Sequence, residues 1–68
     1  MHTVMTKNAF AEAVLALRQS AELTQERFAK LVGASRVTVS HWETGATLPN
    51  YPEYKLRNIK NKLKQSMH

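Results

Sequence analysis

The feature that most restricts this chain is the interval between two helix signals in "LTQERFAKLVGASRVTVSHWETG", residues 23–45. Gly33 follows the last apolar position of one amphipathic run, where helices commonly end in a left-handed residue that glycine adopts without a Cβ penalty. Ser35 then offers the side chain of a helix N-cap. A turn of about three residues, Gly33 to Ser35, is too short for relaxed antiparallel packing, so the two helices are expected to cross steeply as a helix-turn-helix. Such a crossing demands a small residue where the helices touch, and Ala29 lies on the required face.

The same signals place the flanking elements. Thr24 is a second N-cap, opening a helix of about eight residues that turns Phe28, Leu31 and Val32 to one side. The helix capped by Ser35 buries Val39 and Trp42 and stops at Gly45, the next left-handed position. Upstream, Phe10, Ala13, Val14 and Leu17 recur at i, i+3, i+4 and i+7, which predicts a first helix capped by Thr6 and continuing through Ala21. Downstream, the prolines of "ATLPNYP" remove backbone donors and restrict the residues before them, so that stretch is a loop. Pro52 suits the first turn of a fourth helix over 52–65, whose narrow apolar stripe is Leu56, Ile59 and Leu63. That stripe is expected to pack on the first and third helices. With no β-alternating run or internal repeat, the reading is all-α: one domain over 1–68, a small bundle of four or five helices, a helix-turn-helix at 24–45 and a basic helix at 52–65.

Composition narrows the function classes. The chain of 68 residues buries only about 60% of its unfolded surface and has a small core. It has no Cys, which removes disulfides, thiolate metal sites and Cys nucleophiles together. His2, His41 and His68 include no pair at the spacing of a helix-borne metal site, so neither metal nor cofactor is expected. The five carboxylates are scattered and no His stands beside a plausible nucleophile, which argues against an enzyme. No apolar run reaches the roughly 18 residues of a membrane span, and "MHTVMTKNAF" lacks the long apolar segment of a secretion signal. A cytoplasmic location is expected. Ten Lys and Arg against five Asp and Glu, with a pI near 10.0, point toward a polyanionic partner. After Glu53 there is no acid, while Lys55, Arg57, Lys60, Lys62 and Lys64 follow closely. Charge runs are usually solvated, but Lys60, Lys62 and Lys64 are also candidates for DNA phosphate contacts.

With Val39 and Trp42 turned inward, the opposite face of the third helix carries Arg36, Val37, Ser40, His41 and Thr44, at i, i+1, i+4, i+5 and i+8. Ordinary solvated faces are written with Glu, Lys and Gln pairs, whereas this one has no acid, one Arg, an exposed β-branched residue and hydrogen-bonding groups. Each type fits a base edge in the major groove. Arg can donate twice to guanine O6 and N7, Val can touch a thymine methyl, and Ser and His can donate or accept.

These residues carry a resemblance. "LTQERFAKLVGASRVTVSHWETGATLP" resembles the Cro/C1-type, or Xre, helix-turn-helix family of prokaryotic and phage DNA-binding regulators, over residues 6–49. The matching positions are Leu23, Thr24, Gln25, Ala29, Gly33, Ser35, Val39, Trp42, Glu43 and Gly45. The resemblance implies a lambda-repressor-like DNA-binding domain in which Arg36, Val37, Ser40 and His41 face the bases and Gln25 and Thr44 approach phosphates. It also implies a buried ion pair between Glu43 and Arg18. The chain departs from the pattern at Glu22, where the family often has glycine, and at Arg27, where a Glu would complete a capping box with Thr24. After Pro49 the family usually continues with two short helices, whereas here one narrow, strongly basic stripe follows.

The leading reading is a sequence-specific double-stranded DNA-binding transcriptional regulator, a Cro-like repressor reading the major groove with helix 35–44. Its operator is expected to be palindromic and bound by two copies, which associate weakly or not at all when free because the stripe of the last helix is too narrow to serve both the core and a large dimer interface. The competing reading is an antitoxin or partner-binding module that uses the same fold and engages a toxin.

Overall fold

The computed structural model describes residues 5–66. His2 and His68, weighed above as metal ligands, lie outside the described residues. Four helices follow in order: α1 (Lys7–Ser20), α2 (Gln25–Val32), α3 (Arg36–Thr44) and α4 (Pro52–Ser66). Among the described residues there is no strand, and no helix is long and apolar enough to cross a membrane. The chain is thus a small all-α bundle.

The three expected N-caps form. Thr6 Oγ1 accepts from Ala9 N at 3.0 Å, Thr24 Oγ1 from Arg27 N at 3.2 Å, and Ser35 Oγ from Thr38 N at 3.1 Å. Each satisfies one of the N–H groups that a first helical turn leaves free, worth about 1 kcal/mol. Both glycines are left-handed C-caps, Gly33 at φ 76° and Gly45 at φ 78°. Beyond Gly33, Ala34 N donates to Ala29 O at 2.9 Å, and beyond Gly45, Ala46 N donates to His41 O at 2.9 Å. The chain is therefore redirected sharply after α2 and again after α3.

All four helices contribute to one core: Phe10 and Val14 from α1, Phe28 and Ala29 from α2, Val39 and Trp42 from α3, and Leu56, Ile59 and Leu63 from α4. Ala29 is almost fully buried at the α2–α3 contact, where the helix-turn-helix requires a small side chain. Phe10 meets Trp42 edge to face, with ring centroids 5.7 Å apart and planes at 89°, an arrangement favoured by the ring quadrupoles. Burial of each large apolar side chain contributes about 1.5–3 kcal/mol. The buried faces of the first two helices are rotated slightly from expectation. Ala11 is buried where Ala13 and Leu17 are only half-buried, and on α2 Leu31 and Val32 are half-buried beside the fully covered Phe28 and the expected Ala29.

One packing expectation is corrected. The α4 stripe lies on α1 and α2, not on α1 and α3. The inward side of α3 is already covered by α1 and α2, and the loop after Gly45 carries the chain to the remaining free sides of those same two helices. Consequently α3 and α4 sit diagonally across the core. They touch near their adjoining ends, where Lys55 Nζ lies 5.5 Å from the centroid of the Trp42 ring, within cation–π range.

Candidate nucleic-acid interface

The outer face of α3 is built by its inward one. Because Val39 and Trp42 are driven into the core, helical geometry turns Arg36, Val37, His41 and Thr44 to solvent, with Ser40 half-buried among them. Val37 is 54% exposed, a wide exposure for a β-branched residue with nothing apolar to cover it. The side chains of Arg36, Ser40 and His41 make no hydrogen bond within the described residues, so their donors and acceptors remain available. Thr44 is different. Its hydroxyl donates to His41 O at 3.3 Å, so it must rotate before it can donate to another group.

Behind this face lies a buried polar anchor. Arg18 on α1 grips Glu43 on α3 as a fork, Nε to Oε2 at 2.6 Å and Nη2 to Oε1 at 3.1 Å, with side chains 18% and 6% exposed. Donation to the Glu43 carboxylate raises the Arg18 pKa above its ordinary value, against the opposing effect of burial and with the carboxylate charge adding to the rise. The guanidinium therefore stays charged throughout any working pH. Its remaining nitrogen, Nη1, donates to Leu23 O at 2.9 Å in the turn between α1 and α2. Gln25 Nε2, at the first residue of α2, donates to Glu43 Oε1 at 2.9 Å. A single carboxylate thus holds three helices in fixed relation, and the ion pair implied by the resemblance is present.

Two of these bonds left no trace in the sequence reading. The resemblance implies only a phosphate role for Gln25, and nothing local joins it to Glu43, which stands 18 positions away. The bond occupies one of the two amide N–H groups of Gln25 and leaves the other, beside the N-terminus of α2, where orphan N–H groups and the helix dipole favour an anion. Arg18 as a clamp on the α1–α2 turn was likewise unforeseen.

The lysines assigned to phosphates are not gathered. Lys60 and Lys64 lie one turn apart on one edge of α4, while Lys62 projects from the other edge, about 200° around the helix from Lys60. All three are exposed, and their helix sits across the core from α3.

A family model described as "Helix-turn-helix domain" matches residues 9–56. The chain belongs to that family, which lies within the Cro/C1-type, Xre-like group of helix-turn-helix proteins, and its class is that of a DNA-binding regulator. No curated protein and no solved structure gives a significant match to the chain.

Proposed function

We propose that the protein is a sequence-specific regulator of the Cro-like repressor kind, reading the major groove of an operator with α3. The observation that carries this reading is the acid-free outer stripe of α3, whose Arg36, Ser40 and His41 side chains are free of internal hydrogen bonds while Val37 is bare. In this reading Arg36 forks onto a guanine, Val37 meets a thymine methyl, and Ser40 and His41 bond neighbouring base edges. Gln25 and Thr44 hold phosphates on either side, with the α2 N-terminus supporting the first. Arg18 and Glu43 touch no DNA; they hold α2 and α3 at the angle at which both reach it.

Repression follows from occupancy of the operator, with no catalytic step, in the cytoplasm. Two copies stand on a palindromic site about one helical turn, roughly 34 Å, apart, and associate weakly or not at all without DNA. Selection of bound duplexes from a random pool tests the proposal. Two inverted half-sites of a defined motif, centred about one turn apart, are expected, and recovery of unselected sequence would show a binder of phosphates alone.

A further inference from the structure

The outer face of α4 carries a pattern that the α3 reading does not use. Tyr54, Asn58, Asn61 and Gln65 recur at i, i+4, i+7 and i+11, along the side of the helix opposite Leu56, Ile59 and Leu63. Tyr54 is 60% exposed, Asn61 and Gln65 are exposed, and Asn58 is half-buried at the margin. Along one edge of this uncharged row stand Arg57 and Lys64, with Lys60 behind them; along the other stand Lys55 and Lys62. No acid interrupts the surface after Glu53.

A row of amides between two rows of cations has the chemistry of a helix seated in a groove. Phosphates flank both sides of the major groove, which is wide enough for one helix, and Asn or Gln can pair with adenine N7 and N6 at its floor. From Tyr54 to Gln65 the face extends about 16 Å, the length of about five base pairs. A second copy of this chain would set Arg57, Lys62 and Lys64 against the same cations, so charge selects a polyanion over self-association. Because α3 and α4 turn their apolar stripes into one core and lie diagonally across it, their outer faces leave opposite sides of the molecule. One straight duplex cannot lie on both.

We infer that the outer face of α4 is a second duplex-binding surface, reading adenines through Asn61 and Gln65 between phosphates held by Arg57, Lys64 and Lys62, so that one chain can join two DNA segments. This surface stands independently of base reading by α3. The test is selection from a random duplex pool with the full chain carrying Arg36→Ala and His41→Ala, both at exposed positions, with helix content checked by circular dichroism. An adenine-containing motif is expected, and adding Asn61→Ala and Gln65→Ala should weaken it by about tenfold for each adenine pairing lost. Asn61→Asp, which keeps the size of the side chain but places a carboxylate before phosphates, provides a second variant with the same expected loss.

Failure to enrich any motif with the α3 variant, while the unaltered chain enriches one, would overturn the inference and leave α3 as the sole reader. Persistence of the motif after Asn61 and Gln65 are replaced would overturn it as well. So would a dimer in the absence of DNA that those replacements dissolve, since the face would then belong to a second copy. If the unaltered chain and the α3 variant enrich one and the same Asn61- and Gln65-dependent motif, the reading of α3 fails while that of α4 stands.

Discussion

The turn between α1 and α2 and the turn between α2 and α3 solve the same problem by different means. Each needs one residue in the left-handed region. Between α2 and α3 that residue is Gly33, at φ 76°, with no atom within 4 Å of where a Cβ would stand; the backbone alone makes the corner. Between α1 and α2 it is Glu22, at φ 59°, a conformation costing an L-residue about 1–2 kcal/mol. The strained turn is held from outside itself. Leu23 N donates to Arg18 O at 3.2 Å, Arg18 Nη1 returns to Leu23 O at 2.9 Å, and the same guanidinium is fixed by Glu43. A corner that a glycine makes cheaply at one end of α2 is made at the other by a long-range ion pair, which also orients α3.

The dependence of the α1–α2 turn on the ion pair is strongest at Glu43. Glu43→Ala leaves Arg18 partly buried without its carboxylate and removes the acceptor of Gln25, which should cost about 3–5 kcal/mol in denaturant unfolding. Glu43→Gln, which keeps an acceptor, should cost less. A Glu43→Ala chain as stable as the parent would show that the α1–α2 turn does not depend on the anchor. At the simpler corner, Gly33→Ala should cost about 1–2 kcal/mol, all of it conformational because the space is open. Gly45→Ala adds a contact of 3.3 Å with Asn8 Oδ1, the movable end of an exposed side chain, and should cost only slightly more. A much larger loss at Gly33 would mean that this corner too is held by side chains. The smallest effect has the opposite sign. Glu22→Gly relieves strain but frees the unfolded chain, so a net gain of about 0.5–1 kcal/mol is expected, seen as a rise of a few degrees in the thermal midpoint. A fall would show that the Glu22 side chain contributes something the backbone geometry does not reveal.

The contrast also marks what could be read from the sequence. Gly33, Gly45 and the caps Thr6, Thr24 and Ser35 act within a few residues of themselves, and all five took their expected places. Trp42 and Val39 were legible because one helical stripe determines its own inward side. The ion pair of Arg18 with Glu43 came from the resemblance, since 25 positions separate its members. The Gln25 bond to the same carboxylate leaves no sequence signal, because no periodicity joins residues on different helices. The partners of α4 are not legible for a related reason: Leu56, Ile59 and Leu63 define a buried side, but the path of the loop decides which helices cover it. The separation of Lys60 and Lys64 from Lys62 follows from helical spacing alone, whereas the distance of all three from α3 required the packing.

Base reading by α3, as proposed, turns most sharply on Arg36. Arg36→Ala should be compared with the parent by equilibrium binding to the selected operator and to duplexes altered one base pair at a time, at fixed salt. The expected result is a loss of about 1–3 kcal/mol on the best site and the disappearance of preference at a single base pair, with discrimination elsewhere retained. An equal loss on every sequence, with the preference at every position intact, would contradict it and reduce Arg36 to a phosphate contact.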